Sequence, residues 1–261
     1  MILELKNIKL SFTNSRHEVF NLLNGVTLGV ERGKITALVG GNGTGKTTLF
    51  NIISGFQDEY TGQVFFDGHD ISRKPSYKIA QQGIGRLFQG RQLMGDLTVM
   101  ENMLIASSDH TGEFPFTSLL YSSRVKEKEE QKRQKAISIL TELFGADCKY
   151  LHMLDHKAST LSYGEQRLIA IARLLMGENR LLLLDEPTAG VNPLYIETIA
   201  GVIRRMVQDK GVTILLIEHN MHFVRAVADR CAYLDDGVIE KTGSTAEVLD
   251  DKEVRNSYLG L

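Results

Sequence analysis

An α/β fold with a mostly parallel core sheet is what the sequence predicts, and three observations carry that expectation. From Leu181 onward, apolar strands and helices alternate, and alternating β and α units imply a parallel sheet. Lys34 to Val39 is a mostly apolar run ending in glycines, the pattern of a buried parallel strand that feeds a loop. The first third of the chain otherwise reads as β, and the stretch from about Thr98 to Thr160 reads as helical.

Each element has its own signal. Ile2, Leu3, Leu5, Ile8, Leu10 and Phe12 give a loose alternation, followed by a polar loop from Thr13 to Glu18. Val26, Leu28 and Val30 alternate again, and Gln63 to Phe66 is a short strand closed by the turn pair Asp67-Gly68. Gly85 to Phe88 is a further strand. Glu101 to Ala106 continues a periodic apolar stretch, and Thr111 to Ser123, with Gly112 and Pro115, reads as loop with short helical pieces. Val125 to Phe144 places Ala136, Ile137, Leu140, Leu143 and Phe144 at helical spacing, and its mixed-sign run Lys126 to Glu130 reads as a solvated helix face. Leu181 to Asp185 is a strand, Tyr195 to Val207 a helix, Val212 to Glu218 a strand, and Met221 to Ala228 a helix. Arg230 to Leu234 and Val238 to Lys241 are strands joined by the turn Asp235-Asp236-Gly237. No internal repeat or low-complexity linker interrupts the series.

Composition narrows the function. The chain has 261 residues, 43% hydrophobic and 24% charged, which excludes a disordered or collagen-like chain. Its formal net charge is −2, so no overall basic field exists to hold a polyanion, and no nucleic-acid partner is expected. Two distant cysteines, Cys148 and Cys231, suggest reduced thiols in a cytosolic protein rather than a disulfide framework. The N-terminal residues lack the pattern of a signal peptide, and no stretch approaches a membrane span. Work at a membrane would go through a partner.

The strongest motif is Gly40-Gly41-Asn42-Gly43-Thr44-Gly45-Lys46-Thr47-Thr48, which fits the phosphate-loop pattern G-x-x-x-x-G-K-[ST] between a strand and a helix. Glycines let successive N–H groups turn inward around a phosphate, and the following helix adds its positive N-terminus. Lys46 would supply charge to the β- and γ-phosphates, and Thr47 a hydroxyl to Mg²⁺. The second motif is Leu181-Leu182-Leu183-Leu184-Asp185-Glu186, a core strand that carries two acids to the sheet edge where ligands bind. Asp185 would hold Mg²⁺ through its water shell, and Glu186 would accept a proton from the attacking water. The third is Leu161 to Gln166, where Ser162 and Glu165 have capping-box spacing and, with Gly164, open a helix that could receive an anion.

These motifs, with Gln89, Ala189 to Asn192 and His219 in this order, resemble the ATP-binding subunits of ABC transporters over nearly the whole chain. The resemblance implies a phosphate-loop NTPase with a mostly parallel nucleotide core, an N-terminal antiparallel β subdomain and a helical subdomain. Within a single domain of residues 1–261, 1–88 and 167–261 would form the core with the β subdomain, and about 89–166 the helical subdomain. The resemblance assigns Gln89 to Mg²⁺ and the attacking water, His219 to the γ-phosphate and the orientation of Glu186, and Phe12 to stacking on adenine. It implies ATP and Mg²⁺ as ligands and a head-to-tail pair, homodimeric or with a second ABC ATPase subunit. There Ser162 and Gly164, on the helix start shared with Glu165, meet the γ-phosphate held by the other chain.

It further implies membrane permease subunits, an indirect solute-binding protein, and a place on the cytoplasmic side of the inner membrane. Tyr163, Asn192 and Thr44 depart from the commonest family residues. Tyr163 and the segment Ala189 to Pro193, together with the long insertion after Gln89 and the tail Ser257 to Gly260, look like the branched-chain amino acid importer branch. Urea importer and lipopolysaccharide exporter ATPases share parts of this pattern. A soluble ABC-type ATPase acting on DNA or ribosomes and a small-molecule kinase are the readings from other classes.

Overall fold

A computed structural model describes residues 1–13, 19–90, 93–107 and 122–259. Most of the loop expected at 13–18, nearly all of that at 111–123, and Gly260 of the tail fall outside the described residues.

Among the described residues the strands are β1 (Leu3–Thr13), β2 (Val19–Val30), β3 (Ile35–Val39), β4 (Thr61–Phe66), β5 (His69–Asp70), β6 (Ile84–Leu87), β7 (Leu181–Asp185), β8 (Thr213–Ile217), β9 (Arg230–Asp235) and β10 (Val238–Ser244). They form two sheets: a core sheet of order β10-β9-β3-β8-β7-β6, and an antiparallel sheet of order β2-β1-β4-β5. In the core sheet only the β9–β10 pair is antiparallel. β3, β7 and β8 are buried at every position, as expected of apolar strands covered on both faces.

Local chemistry sets the turns. Asp236 and Gly237 join β9 to β10 with φ 42° and 75°, and Asp67 and Gly68 join β4 to β5 with φ 51° and 77°. Two successive positive φ values match the right-handed twist of a hairpin, and Asp-Gly supplies them at little strain. The loose alternation of the first strand has a physical cause. Leu3 and Leu5 are buried, then the buried set resumes out of phase at Ile8, because the ladder bulges between Leu5 and Ile8 and Asn7 adopts φ 52°. Opposite the bulge, a Cβ on Gly62 would lie 2.4 Å from the Asn7 carbonyl oxygen, so only glycine fits.

One hydrophobic cluster serves both sheets. It joins Leu3, Leu5 and Ile8 of β1 to Leu38 of β3, Leu183 of β7 and Leu215 of β8, and takes in Leu49, Phe50 and Ile53 of the helix Lys46–Ile53. The β9–β10 turn is tied to β2, since Asn24 N donates to the Gly237 carbonyl at 2.8 Å.

The chain divides into two compact units. The first, Met1–Gln89 with Asn179–Ala189 and Ile203–Leu261, holds both sheets. The second, Gly90–Glu178 with Gly190–Val202, holds the helices Val99–Ile105, Ser122–Phe144, Lys149–His152 and Tyr163–Ala172. Residues 167–178 and 190–202, expected in the core, cluster with the helical unit: the first stretch continues the helix Tyr163–Ala172, and the second includes the start of the helix Pro193–Lys210. Within this unit Thr98 and Ser162 each start a helix with a full capping box, partnered by Glu101 and Glu165. Lys126, Glu127, Glu129 and Glu130 are exposed, while Ala136, Ile139, Leu140 and Leu143 are buried, so the charged run is a solvated face.

Candidate functional site

The parallel register assembles the site. Leu87 pairs with Leu184, and Leu184 with Leu216, so Gln89, Glu186 and Glu218 each lie two residues past one shared row of the core sheet. His219 follows. The glycine loop leaves β3 at the same edge.

The loop has the shape of an anion cradle. A Cβ on Gly40 would lie 2.2 Å from the Leu234 carbonyl oxygen, and one on Gly45 2.7 Å from Leu23 Cδ2, so close neighbours demand glycine at both. Gly45 stands at the N-cap of the helix Lys46–Ile53 with φ 99° and gives it no side-chain cap, which leaves the first N–H groups for a ligand. Lys46 is buried and folds back along the loop, its Nζ donating to the carbonyls of Gly40 at 2.8 Å and Gly41 at 2.6 Å. Burial lowers its pKa, while Glu186 and Asp185 pull it back up. Thr44 Oγ1 closes the turn on the Gly41 carbonyl at 3.0 Å.

A cavity of about 270 Å³ opens over this loop. It is lined by Asn42, Gly43, Gly45 and the helix start Lys46 to Thr48, together with Leu22, Glu186 and His219. Glu186 is held at both carboxylate oxygens. Gln89 Nε2 donates to Oε2 at 2.9 Å, and His219 Nε2 lies 3.3 Å from Oε1. The Glu186 backbone has φ 46°, a left-handed conformation that costs a non-glycine residue about 1–3 kcal/mol and that the fold maintains, with Glu186 N bonded to the Ile217 carbonyl at 3.0 Å.

Two buried charges support this edge. Asp185 is 1% exposed, and its Oδ2 accepts from Arg86 Nη2 at 3.3 Å. Glu218 is also buried. Its Oε1 accepts from Thr188 N at 2.8 Å and Thr188 Oγ1 at 2.5 Å, and its Oε2 from His219 N at 2.9 Å and Asn220 N at 3.2 Å. It therefore pins the loop after Glu186 to the turn that carries His219.

Ser162, Gly164 and Glu165 belong to the helical unit and form a separate constellation there. Glu165 Oε2 accepts from Ser162 N at 2.7 Å, and Ser162 Oγ lies 3.4 Å from Glu165 N and 3.4 Å from the Tyr195 hydroxyl. A Cβ on Gly164 would lie 2.5 Å from the Tyr195 ring. Tyr163 rests beside Gly190, 3.5 Å from where a Cβ would be. Asn192 caps the helix Pro193–Lys210, its Oδ1 accepting from Leu194 N at 3.0 Å.

Phe12 does not line the cavity. It sits on β1, 47% exposed, directly opposite Phe20 of β2. Sequence reasoning missed Leu22, Arg86, Glu218 and Tyr195. For Arg86 a signal existed: a cation inside an otherwise apolar core strand.

The donor set fits a magnesium nucleotide. The cradle offers backbone N–H groups and one buried ammonium, and Thr47, Gln89 and Asp185 offer the hard oxygen donors that Mg²⁺ prefers. Among the described residues no group of three or more His, Cys, Asp or Glu side chains could hold a metal by itself, so such an ion would share its shell with nucleotide oxygens and water.

Comparison with known proteins agrees with this geometry. The family profile described as ABC transporter matches residues 23–189. A second profile, described as AAA domain, putative AbiEii toxin, Type IV TA system, matches residues 154–225. Probable branched-chain amino acid transport ATP-binding proteins LivG of Archaeoglobus fulgidus and Methanocaldococcus jannaschii are 39% and 37% identical, covering 91% and 92% of this chain and 89% and 92% of theirs. The high-affinity branched-chain amino acid transport ATP-binding protein BraF of Pseudomonas aeruginosa is 34% identical over 91% of both chains. Two solved structures, a nucleotide-free ATP-binding cassette from an ABC transporter and the ADP conformation of such a cassette, superpose with TM-scores of 0.79 and 0.81 at 34% identity. Each covers 100% of this chain and 99% of its own. Motif order, sheet topology and these likenesses converge: the chain belongs to the ABC transporter family, as an ATPase cassette.

Proposed function

We propose that this cassette hydrolyses ATP to drive a membrane permease that imports branched-chain or related amino acids, acting as a pair that encloses two magnesium-bound nucleotides. The observation that carries the reading is Glu186, held through both carboxylate oxygens and lining the same cavity as the glycine loop and Lys46.

In this reading Gly40 to Gly45 and Thr48 wrap the phosphates with N–H groups, and Lys46 releases the loop carbonyls to reach the β- and γ-phosphates. Thr47, Asp185 and the Gln89 carbonyl oxygen would hold Mg²⁺. When bound, the ion offsets negative charge on the phosphate oxygens. Glu186 accepts a proton from the attacking water, a role that contributes about 10²–10⁴ in rate. His219 orients that carboxylate and donates toward the γ-phosphate, while Phe12, which does not line the cavity, has no part in this reading. Ser162, Gly164 and Glu165 start a helix with an N-terminus suited to a γ-phosphate. Its assignment to the partner cassette's nucleotide follows from the family resemblance and gives two-fold pairing a chemical reason.

No helix among the described residues is long and apolar enough to cross a membrane, so a permease would supply the membrane contact. The aromatic pair Phe56 and Phe88, stacked edge to face at 5.3 Å and exposed just before Gln89, is apolar surface of the kind a permease helix can cover. The cassette would then sit on the cytoplasmic face of the inner membrane, with a solute-binding protein engaged only through the permease. The amino-acid assignment rests on the relatives' names.

Reconstitution with a branched-chain amino acid permease and its solute-binding protein, in vesicles loaded with ATP, tests this. Leucine, isoleucine or valine should stimulate hydrolysis where urea does not, and Glu186→Gln should bind ATP while losing about 100-fold or more in turnover. Undiminished turnover in that variant would reassign the base. Stimulation by urea alone would reassign the solute.

A further inference from the structure

Arg86 has no part in the reading above, yet it joins three elements at the site. Its guanidinium is buried on β6, with a side-chain exposure of 6%. Nη1 donates to Asn51 Oδ1 and to Ser54 Oγ, both at 2.8 Å, at the end of the helix that follows the glycine loop. Nη2 donates to Asp185 Oδ2 at 3.3 Å at the end of β7. The guanidinium carbon also lies 4.6 Å from the centre of the Phe88 ring, on the residue before Gln89.

A buried ion pair contributes little net stability, and an apolar side chain of similar volume would serve the core as well. Burial indeed pulls the Arg86 pKa down, with Asp185 opposing. What the arginine supplies instead is geometry. A planar guanidinium clamped by two oxygens of one helix can meet a carboxylate from only one direction. Phe88, stacked on the same group, carries that constraint to the neighbouring Gln89.

We propose that Arg86 is a positioning residue that fixes the Asp185 carboxylate in one orientation for a divalent ion and ties it to the turn bearing Gln89. The proposal rests on Asp185 as a metal-holding residue, and the test separates the two. Binding of a fluorescent ATP analogue to the full chain is measured across a Mg²⁺ titration and again in EDTA. Arg86→Lys should raise the Mg²⁺ concentration needed for half-maximal binding by about 10–100-fold, the usual effect of removing a group that orients a metal ligand, and should leave binding in EDTA unchanged. The pair Asn51→Ala and Ser54→Ala, which frees the guanidinium but keeps its charge, should shift the Mg²⁺ requirement in the same direction by less. It decides the matter where Arg86→Lys does not fold. In an Asp185→Asn background, Arg86→Lys should add no further shift.

Equal weakening with and without Mg²⁺, or no weakening in either, overturns the positioning role. An Asp185→Asn variant with an unaltered Mg²⁺ requirement overturns the metal-holding reading, and the Arg86 proposal with it. A shift in Asp185→Asn alone overturns only the proposal for Arg86.

Discussion

Gln89 donates its side-chain amide to Glu186 at 2.9 Å, although 97 residues separate them in the chain. Parallel pairing of Leu87 with Leu184 is the cause, since each residue lies two positions beyond that pair. Glu186 thus receives its orientation from outside its own strand. Gln89→Ala removes the restraint on one carboxylate oxygen and leaves His219 on the other. Turnover should fall by about 100-fold, as expected when a reacting group is displaced by the order of 1 Å, with ATP affinity in EDTA, where no Mg²⁺ contact is at stake, little changed. Steady-state hydrolysis and equilibrium binding measured side by side check this, and an unaltered kcat would show that the contact is incidental.

Glu218 holds the opposite side. Four donors converge on its carboxylate, three of them backbone N–H groups from Thr188, His219 and Asn220. Glu218→Ala leaves those donors without their acceptor at a buried position, a loss on the order of 3 kcal/mol. Urea denaturation should show the lower midpoint, and turnover should fall with it because His219 loses its backbone anchor. A stable, active Glu218→Ala protein would mean that water replaces the carboxylate.

Much of this arrangement was legible beforehand, for physical reasons. The central strands read clearly because Leu181 to Leu184 and Thr213 to Ile217 are buried on both faces and the sequence must be apolar throughout. The glycine loop read clearly because its chemistry is contiguous. The helix Ser76–Gln81 did not, since so few residues carry no usable period. The helix Thr245–Leu249 does carry a sequence signal, the capping box of Ser244 and Glu247. Arg86 stands out as a cation in an apolar strand, but its partners Asn51, Ser54 and Asp185 lie far off in sequence, as Gly164 does from Tyr195, and no local pattern marks such pairings. Tyr195 shows this best: spacing alone does not place its ring against Gly164.

Two glycines of the loop should respond differently to a methyl group. At Gly40 a Cβ meets the Leu234 carbonyl oxygen at 2.2 Å, and backbone on both sides cannot yield cheaply. At Gly43 nothing lies within 4 Å, and only the left-handed φ of 80° resists. Gly40→Ala should therefore cost about 3 kcal/mol or fail to fold, and Gly43→Ala only about 1–2 kcal/mol. Chemical denaturation of the two variants ranks them, and a reversed order would refute the steric account.

Acid should loosen the helix that begins at Ser162. Burial raises the Glu165 pKa, but the Lys149 ammonium and the Ser162 N–H and hydroxyl outweigh it, so the carboxyl is held below its usual 4.5. A group that ionises more readily in the folded state stabilises the fold above its unfolded pKa. That contribution is lost as pH falls through the folded value. Glu165→Gln should lower the melting temperature at neutral pH, and the gap from the wild-type chain should narrow below pH 4.5. A gap that stays constant down to acid pH would assign the effect to packing.

Gly164 offers a test of why glycine stands at this helix start, proposed above to receive a phosphate. One reason is ligand approach, the other is the Tyr195 ring, 2.5 Å from where a Cβ would be. Gly164→Ala should destabilise the chain by about 1–3 kcal/mol through overpacking. Tyr195→Ala removes the obstacle, so the double variant should regain most of that loss relative to Tyr195→Ala alone, a coupling that a double-mutant cycle measures directly. Hydrolysis by the assembled transporter then divides the two causes. Activity restored along with stability assigns the glycine to Tyr195, whereas a stable but inactive double variant assigns it to the phosphate that the extra methyl keeps out.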